Sequence, residues 1–164
     1  MATLPSRMLS SKSASDTRPL WAELFIVSKC GNPARALSLW HEGQFDRFDF
    51  SNSSMRLEVK SSVRGIRVHE FALEQLEPPV QGHGRVASML LQPLIRGVGV
   101  LDLAQSIETA VQSASRARLK LYCNIMTAFG GDLSEKRHRR IDAVFAEKNL
   151  IIYSMSDVPP LPPH

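Results

Sequence analysis

Apolar residues first fall into a clear pattern in "PLWAELFIVSKCGN", where Leu20, Leu24 and Val27 share one helical face between a leading proline and a Gly-Asn stop. That spacing predicts a helix. "NPARALSLWHEG" repeats it, with Asn32 as N-cap, Pro33 at the first helical position and Gly43 as the stop. From Arg47 the texture changes to short runs separated by Asn, Ser and Gly, and "RFDF", "MRLEVKS" and "GIRVHEF" read as three strands. "ALEQLEPP" reads as a short helix halted by prolines, and "RVASMLLQPLI" as one buried strand. "LDLAQSIETAVQSAS" and "RARLKLYCNIMTAFGG" read as helices, the second closed by Gly130 and Gly131. "RIDAVFAEKNLIIYSMS" carries two β-rich runs around Glu-Lys-Asn and reads as a terminal hairpin. Helices, three strands, a helix, a strand, helices and a hairpin make an α/β domain with a mixed sheet.

Composition adds bounds rather than direction. The 164 residues suffice for one domain with its own core, and 43% apolar with 22% charged residues is ordinary globular usage. No run approaches the roughly 18 apolar residues of a membrane span, so no membrane partner and a cytoplasmic location are expected. A net charge of +4 permits a polyanionic partner without demanding one. Residues 1–18, rich in Ser and basic side chains, read as a disordered or variable leader, although a transit peptide would share that composition. The domain is expected over 19–156, followed by an extended proline-rich tail over 157–164. Cys30 and Cys123 form no CxxC or Cys/His pattern and read as reduced, buried thiols. The five histidines show no metal spacing, so none is assigned to a metal, and His41 and His69 read as structural. Trp21 and Trp40 read as core. Walker, GxGxxG and nucleophile-elbow motifs are absent, which disfavours nucleotide motors, dinucleotide enzymes and α/β-hydrolases.

Candidate chemistry sits in "FDFSNSSMRLEVKSS". Side chains two apart on a strand share a face, so Arg56, Glu58 and Lys60 point one way and Leu57 and Val59 the other. If "RFDF" pairs alongside, the carboxylates of Asp49 and Glu58 become neighbours, and their repulsion favours a cation between them. Hard oxygen ligands with room for water suit Mg²⁺ or Mn²⁺. Lys60 on the same face can hold an attacking water or stabilise a pentacovalent phosphate. Alternating charge is also what any half-buried strand shows. An acid between two phenylalanines is harder to explain as solvated surface.

The D-x8-E-V-K spacing, after a helix bearing a glutamate and before a strand and helix, resembles the core of the PD-(D/E)XK nuclease superfamily. "LWAEL", the "LW" ahead of the first strand, "DF…LEVKSS", "EQL" and "YSMSDVPPL" resemble a bacterial PD-(D/E)XK family associated with restriction-type and phage-defence gene clusters. The resemblance runs from Pro19 to Leu161. It implies a restriction endonuclease-like mixed sheet flanked by helices and Mg²⁺-dependent (or Mn²⁺-dependent) hydrolysis of DNA phosphodiesters. By the same resemblance, Asp49 and Glu58 are the metal ligands, Lys60 is the catalytic lysine, Glu23 is an accessory carboxylate and Gln75 projects toward the site. Double-stranded DNA, other subunits of a restriction or defence system and a second copy in a homodimer are the implied partners. The chain departs from the family in lacking a Pro before Asp49 and in having Pro19 and Ala22 where glycines are expected. It is also shorter than expected, as a truncated or minimal member would be.

Two basic runs remain. Arg116, Arg118 and Lys120, then Lys136, Arg137, His138, Arg139 and Arg140, are either a solvated face or, on the nuclease reading, phosphate contacts. Two competing functions stay open. One is a non-catalytic DNA-binding or assembly subunit on the same fold, and the other is an α/β interaction module without a metal.

Overall fold

A computed structural model describes residues 16–43, 46–130 and 139–158. The first helix, α1 (Arg18–Lys29), carries Pro19 in its opening turn, and α2 (Pro33–Leu39) starts where the Asn32 side chain accepts a hydrogen bond from Arg35 N at 3.0 Å. That cap satisfies one of the orphan amides of the first turn. α2 stops four residues before the expected Gly43, because Trp40 turns extended and bridges to Phe50.

Four strands form one sheet in the order β1 (Phe50–Ser51), β2 (Met55–Ser62), β3 (His83–Leu90) and β5 (Leu150–Ser154). β1 runs antiparallel to β2, β2 parallel to β3, and β3 antiparallel to β5. A mixed sheet with helices against it is the α/β arrangement the pattern predicts, and it agrees with a restriction endonuclease-like fold. In the β2–β3 register Val59 lies beside Ala87 and Glu58 beside Val86. Val59, Ala87 and Met89 face the main core, built with Leu20, Trp21 and Leu24 of α1, Leu103 and Ile107 of α3 (Val100–Ala110), and Leu121 and Ile125 of α4 (Ser115–Phe129). The opposite face of β3 carries Val86 into a smaller cluster with Phe48, Met155, Phe71 and Leu76. Trp21 and Trp40 are buried to 1% exposure, as expected of core residues. Full burial of a large apolar side chain contributes about 1.5–3 kcal/mol.

Several sequence expectations are corrected. "GIRVHEF" forms no strand: Ile66 and Val68 are 56% and 70% exposed, and the run passes over the surface into a single 3₁₀ turn, Leu73–Leu76. Both edges of β2 are already taken by β1 and β3, so the β-rich run has no ladder to join there. "RVASMLLQPLI" is two strands, because β3 ends at Leu90 and β4 (Pro93–Val98) begins on a proline without an N–H. β4 lies outside the sheet and bridges to Ile141. The terminal hairpin is instead a helix and a strand. Asp142 caps α5 (Ala143–Lys148) by accepting from Phe145 N at 2.9 Å, and β5 then pairs with β3. Only the last residue of "RFDF" is in a strand. Cys30 and Cys123 are both exposed, not buried, free thiols.

No helix among the described residues is long and apolar enough to cross a membrane.

Candidate metal centre

Asp49 is placed by its neighbours. Phe50 packs into the main core and Phe48 into the smaller cluster, so the acid between them is pinned at the sheet edge where the two cores meet. The antiparallel register pairs Phe50 with Leu57, and one step back along that ladder Asp49 faces Glu58. Asp49 Oδ2 accepts a hydrogen bond from Val59 N at 2.7 Å, tying the carboxylate to β2.

Glu58 and Lys60 share the face opposite the main core. Glu58 Oε1 lies 2.9 Å from Lys60 Nζ and accepts from Gln75 Nε2 at 2.8 Å. Gln75 is fixed in the 3₁₀ turn, where its Oε1 accepts from Ala72 N at 3.0 Å and from Lys60 Nζ at 3.3 Å. The Lys60 ammonium also stands 5.0 Å from the Phe71 ring centroid. Glu58 Oε2 is buried and has no hydrogen-bond partner among the described residues.

Glu23, buried on α1, reaches the same edge. Its Oε2 accepts from Trp40 Nε1 at 2.6 Å and lies 3.0 Å from His41 Nε2. His41 is held on both sides of its backbone, its N–H donating to Asp49 O at 2.8 Å and its carbonyl accepting from Asn124 Nδ2 at 2.7 Å. One ligand atom from each of Glu23, His41 and Asp49 lies within 4.8 Å of the others.

The electrostatics follow from crowding acids in a poorly solvated corner. Burial, then the charges of Glu23 and Glu58, push the Asp49 carboxyl up to about 8, against the Val59 amide and His41. Burial also raises Glu58, opposed chiefly by Lys60. The hydrogen bond to Glu23 raises His41 above the ordinary imidazole value. Three mutually repelling carboxylates, an imidazole and an unpartnered buried oxygen fit a divalent cation. Glu23, Asp49, Glu58 and His41 are the residues that could hold it.

Beyond Lys60 the face opens into a polar cleft of about 290 Å³, lined by Arg18, Ser61, Ser62, Arg64 and His69 among others. His69 Nε2 is 2.7 Å from Ser88 Oγ, which also accepts from Arg67. Burial, with Lys60 and Arg67 nearby, lowers the His69 pKa.

The structure thus brings together Asp49, Glu58, Lys60, Glu23 and Gln75. The basic runs are placed differently. Arg118 pairs with Glu108 at 3.2 Å, Lys120 donates to Ser38 O at 3.1 Å, and Arg139 pairs with Asp16 at 3.7 Å. Arg140 bonds both Asp102 and Gly97 O at 2.8 Å, and Arg116 is exposed on α4. Lys136, Arg137 and His138 lie outside the described residues. The sequence reads His41 as structural and Trp40 as core and does not single out Asn124, yet all three bond to the residues around the acids. Nothing in their spacing marks them, since the α2 exit and α4 meet the acids only through packing.

A family model described as "Putative PD-(D/E)XK family member, (DUF4420)" matches residues 1–164. No curated protein and no solved structure matches the chain.

Proposed function

Because the chain belongs to this PD-(D/E)XK family over its whole length, we propose that it hydrolyses phosphodiester bonds of DNA with a divalent cation at the β1–β2 edge. The observation that carries the reading is the antiparallel ladder, which sets Asp49 against Glu58 with Lys60 on the Glu58 face. A cation bound there supplies Lewis-acid polarisation of the phosphoryl group and a water acidic enough to attack near neutral pH. Asp49, Glu58 and Glu23 hold and neutralise that charge. Lys60, fixed by Glu58 and Gln75, orients the water and faces the negative charge that grows on phosphorus oxygens. Gln75 keeps both Glu58 and Lys60 in register. The polar cleft offers Arg64 and His69 to the sugar–phosphate backbone, which positions a duplex without reading its bases. Duplex DNA in a restriction or phage-defence setting is the substrate this reading favours, supported by the family resemblance and the net positive charge.

Supercoiled plasmid incubated with purified protein tests it. Nicking or linearisation is expected with Mg²⁺ or Mn²⁺, none with EDTA, and none from Lys60→Ala, which should still retard duplex in a gel. Retardation without cleavage by the wild type would favour a non-catalytic DNA-binding subunit. Neither effect would leave an interaction module.

A further inference from the structure

We propose that His41 is a nitrogen ligand of the bound cation, beside Glu23 and Asp49, and that this donor set selects Mn²⁺ over Mg²⁺. The inference rests on the metal-dependent reading above and names the ion that site prefers.

Geometry is the first support. In an octahedral shell with metal–ligand bonds of about 2.1 Å, adjacent donors lie about 3.0 Å apart and opposite ones about 4.2 Å apart. His41 Nε2 is 3.0 Å from Glu23 Oε2, and the ligand atoms of Glu23, His41 and Asp49 span no more than 4.8 Å. A single ion can therefore meet all three with small side-chain movements. The backbone that carries the imidazole is also anchored. The His41 N–H is spent on Asp49 O and its carbonyl on the buried Asn124, so its backbone is anchored to the segment that carries a second ligand. Trp40, 1% exposed, donates to the same Glu23 oxygen at 2.6 Å and fixes the carboxylate's orientation.

A second observation comes from the acid beside this set. Glu58, its side chain 4% exposed and opposite Asp49 on the continued ladder, keeps Oε2 buried with no hydrogen-bond partner among the described residues. Lys60 and Gln75 both meet the other oxygen, Oε1, and an acceptor-only atom in such a place costs free energy unless a donor, a proton or a cation meets it. An ion pair between His41 and Glu23 alone would leave Glu58 Oε2 unanswered.

Ion choice follows from the mixture of donors. Mg²⁺ holds its waters and takes oxygen ligands in a near-ideal octahedron. Imidazole favours transition ions, whereas carboxylates and water suit Mg²⁺, Ca²⁺ and Mn²⁺. Of Mg²⁺ and Mn²⁺, which share the carboxylate and water donors, only Mn²⁺ is a transition ion, so a nitrogen donor shifts the preference toward it.

The test is tag-free protein loaded with Mn²⁺ and examined by pulsed electron paramagnetic resonance for ¹⁴N coupling, with Mn²⁺ and Mg²⁺ affinities measured by calorimetry. The wild type should show imidazole nitrogen coupling, and His41→Ala should lose it. The Mn²⁺-over-Mg²⁺ affinity ratio should fall at least about tenfold in that variant, the scale of loss seen even when a second-shell partner of a ligand is removed. His41→Asp, which offers oxygen instead, should bind metal with the preference moved toward Mg²⁺. Mn²⁺ bound without nitrogen coupling, or coupling that survives in His41→Ala, overturns the inference and leaves the metal-dependent reading standing. No divalent binding by the folded wild type brings down both. If His41→Ala does not fold, the wild-type spectrum decides alone.

Discussion

Asp49 shows how a single residue can be structurally costly and chemically useful. Its flanking phenylalanines anchor in two different clusters, which holds the carboxyl at this edge, and Glu23 and Glu58 press on it. Replacing it with Asn keeps an oxygen for the Val59 amide and removes a charge that the site disfavours. We therefore expect Asp49→Asn to unfold at a higher temperature than the wild type in EDTA at about pH 8.5, while losing divalent-ion binding and cleavage. Calorimetric unfolding and a metal titration on the same preparation check both halves. A variant that binds metal normally would remove Asp49 from the ligand set. Active sites commonly trade stability for function in this way.

At the level of elements, the exit of α2 matters more than its body. Because the helix stops at Leu39, Trp40 and His41 leave it extended, bridge to β1 and meet α1 from the side. Trp40→Phe retains most of the ring and deletes the N–H that bonds Glu23. Loss of a hydrogen bond to a charged group costs about 1.5–3 kcal/mol of stability. Metal affinity should fall about 10- to 100-fold, as for other residues that orient ligands. Unchanged affinity in a destabilised variant would make Trp40 purely structural. Basic residues divide by element too. Arg140 bonds Asp102, whose other task is to accept from Gly99 N at the start of α3, so Arg140→Glu should lower thermal stability first. Arg64 stands exposed in the cleft beside Lys60. Arg64→Glu should leave the unfolding temperature unchanged, weaken duplex binding for every sequence alike, and reduce the slope of log affinity against log salt by about 0.9. Equal DNA affinity in that variant would take the cleft out of the substrate path.

For the whole molecule, the acids make stability depend on pH and on metal together. Asp49 binds its proton up to about 8 in the folded chain but only to 3.8 when unfolded, so the folded state holds more protons across that window. Stability of the metal-free protein therefore falls as pH rises through it. His41 acts in the same sense: raised above 6.5 by Glu23, it stabilises while protonated and loses that contribution as pH climbs through its folded value. Asp16, Asp46 and Glu108, all lowered, have the opposite dependence, but in a range below their ordinary carboxylate values. Thermal unfolding in EDTA between about pH 5 and about pH 8 should thus show a falling midpoint. Saturating Mn²⁺ should raise it more at the upper end, because metal binding releases the same protons. A midpoint that climbs with pH in EDTA would contradict the crowding of acids at this edge.

Much of this protein is determined by short-range pattern. The α1 periodicity, the Asn32–Pro33 start of α2 and the alternation in "MRLEVKS" each depend on residues within one or two turns or steps, and each forms where the pattern places it. The grouping of Asp49, Glu58 and Lys60 is legible for the same reason, since one short antiparallel step joins them. Pairing and packing over long distances decided the rest. "GIRVHEF" has the composition of a strand and becomes surface chain: β2, the strand before it, is already paired on both sides, and β-propensity yields to such context. "RIDAVFAEK" becomes α5 because Asp142 caps it and the β-rich run after it already fills the open side of β3. His41, Trp40 and Asn124 join the acids from α2 and α4 through contacts that span up to 83 positions in the chain, beyond the reach of any spacing rule. Local periodicity selects faces and caps; only the assembled sheet and helices determine which faces meet.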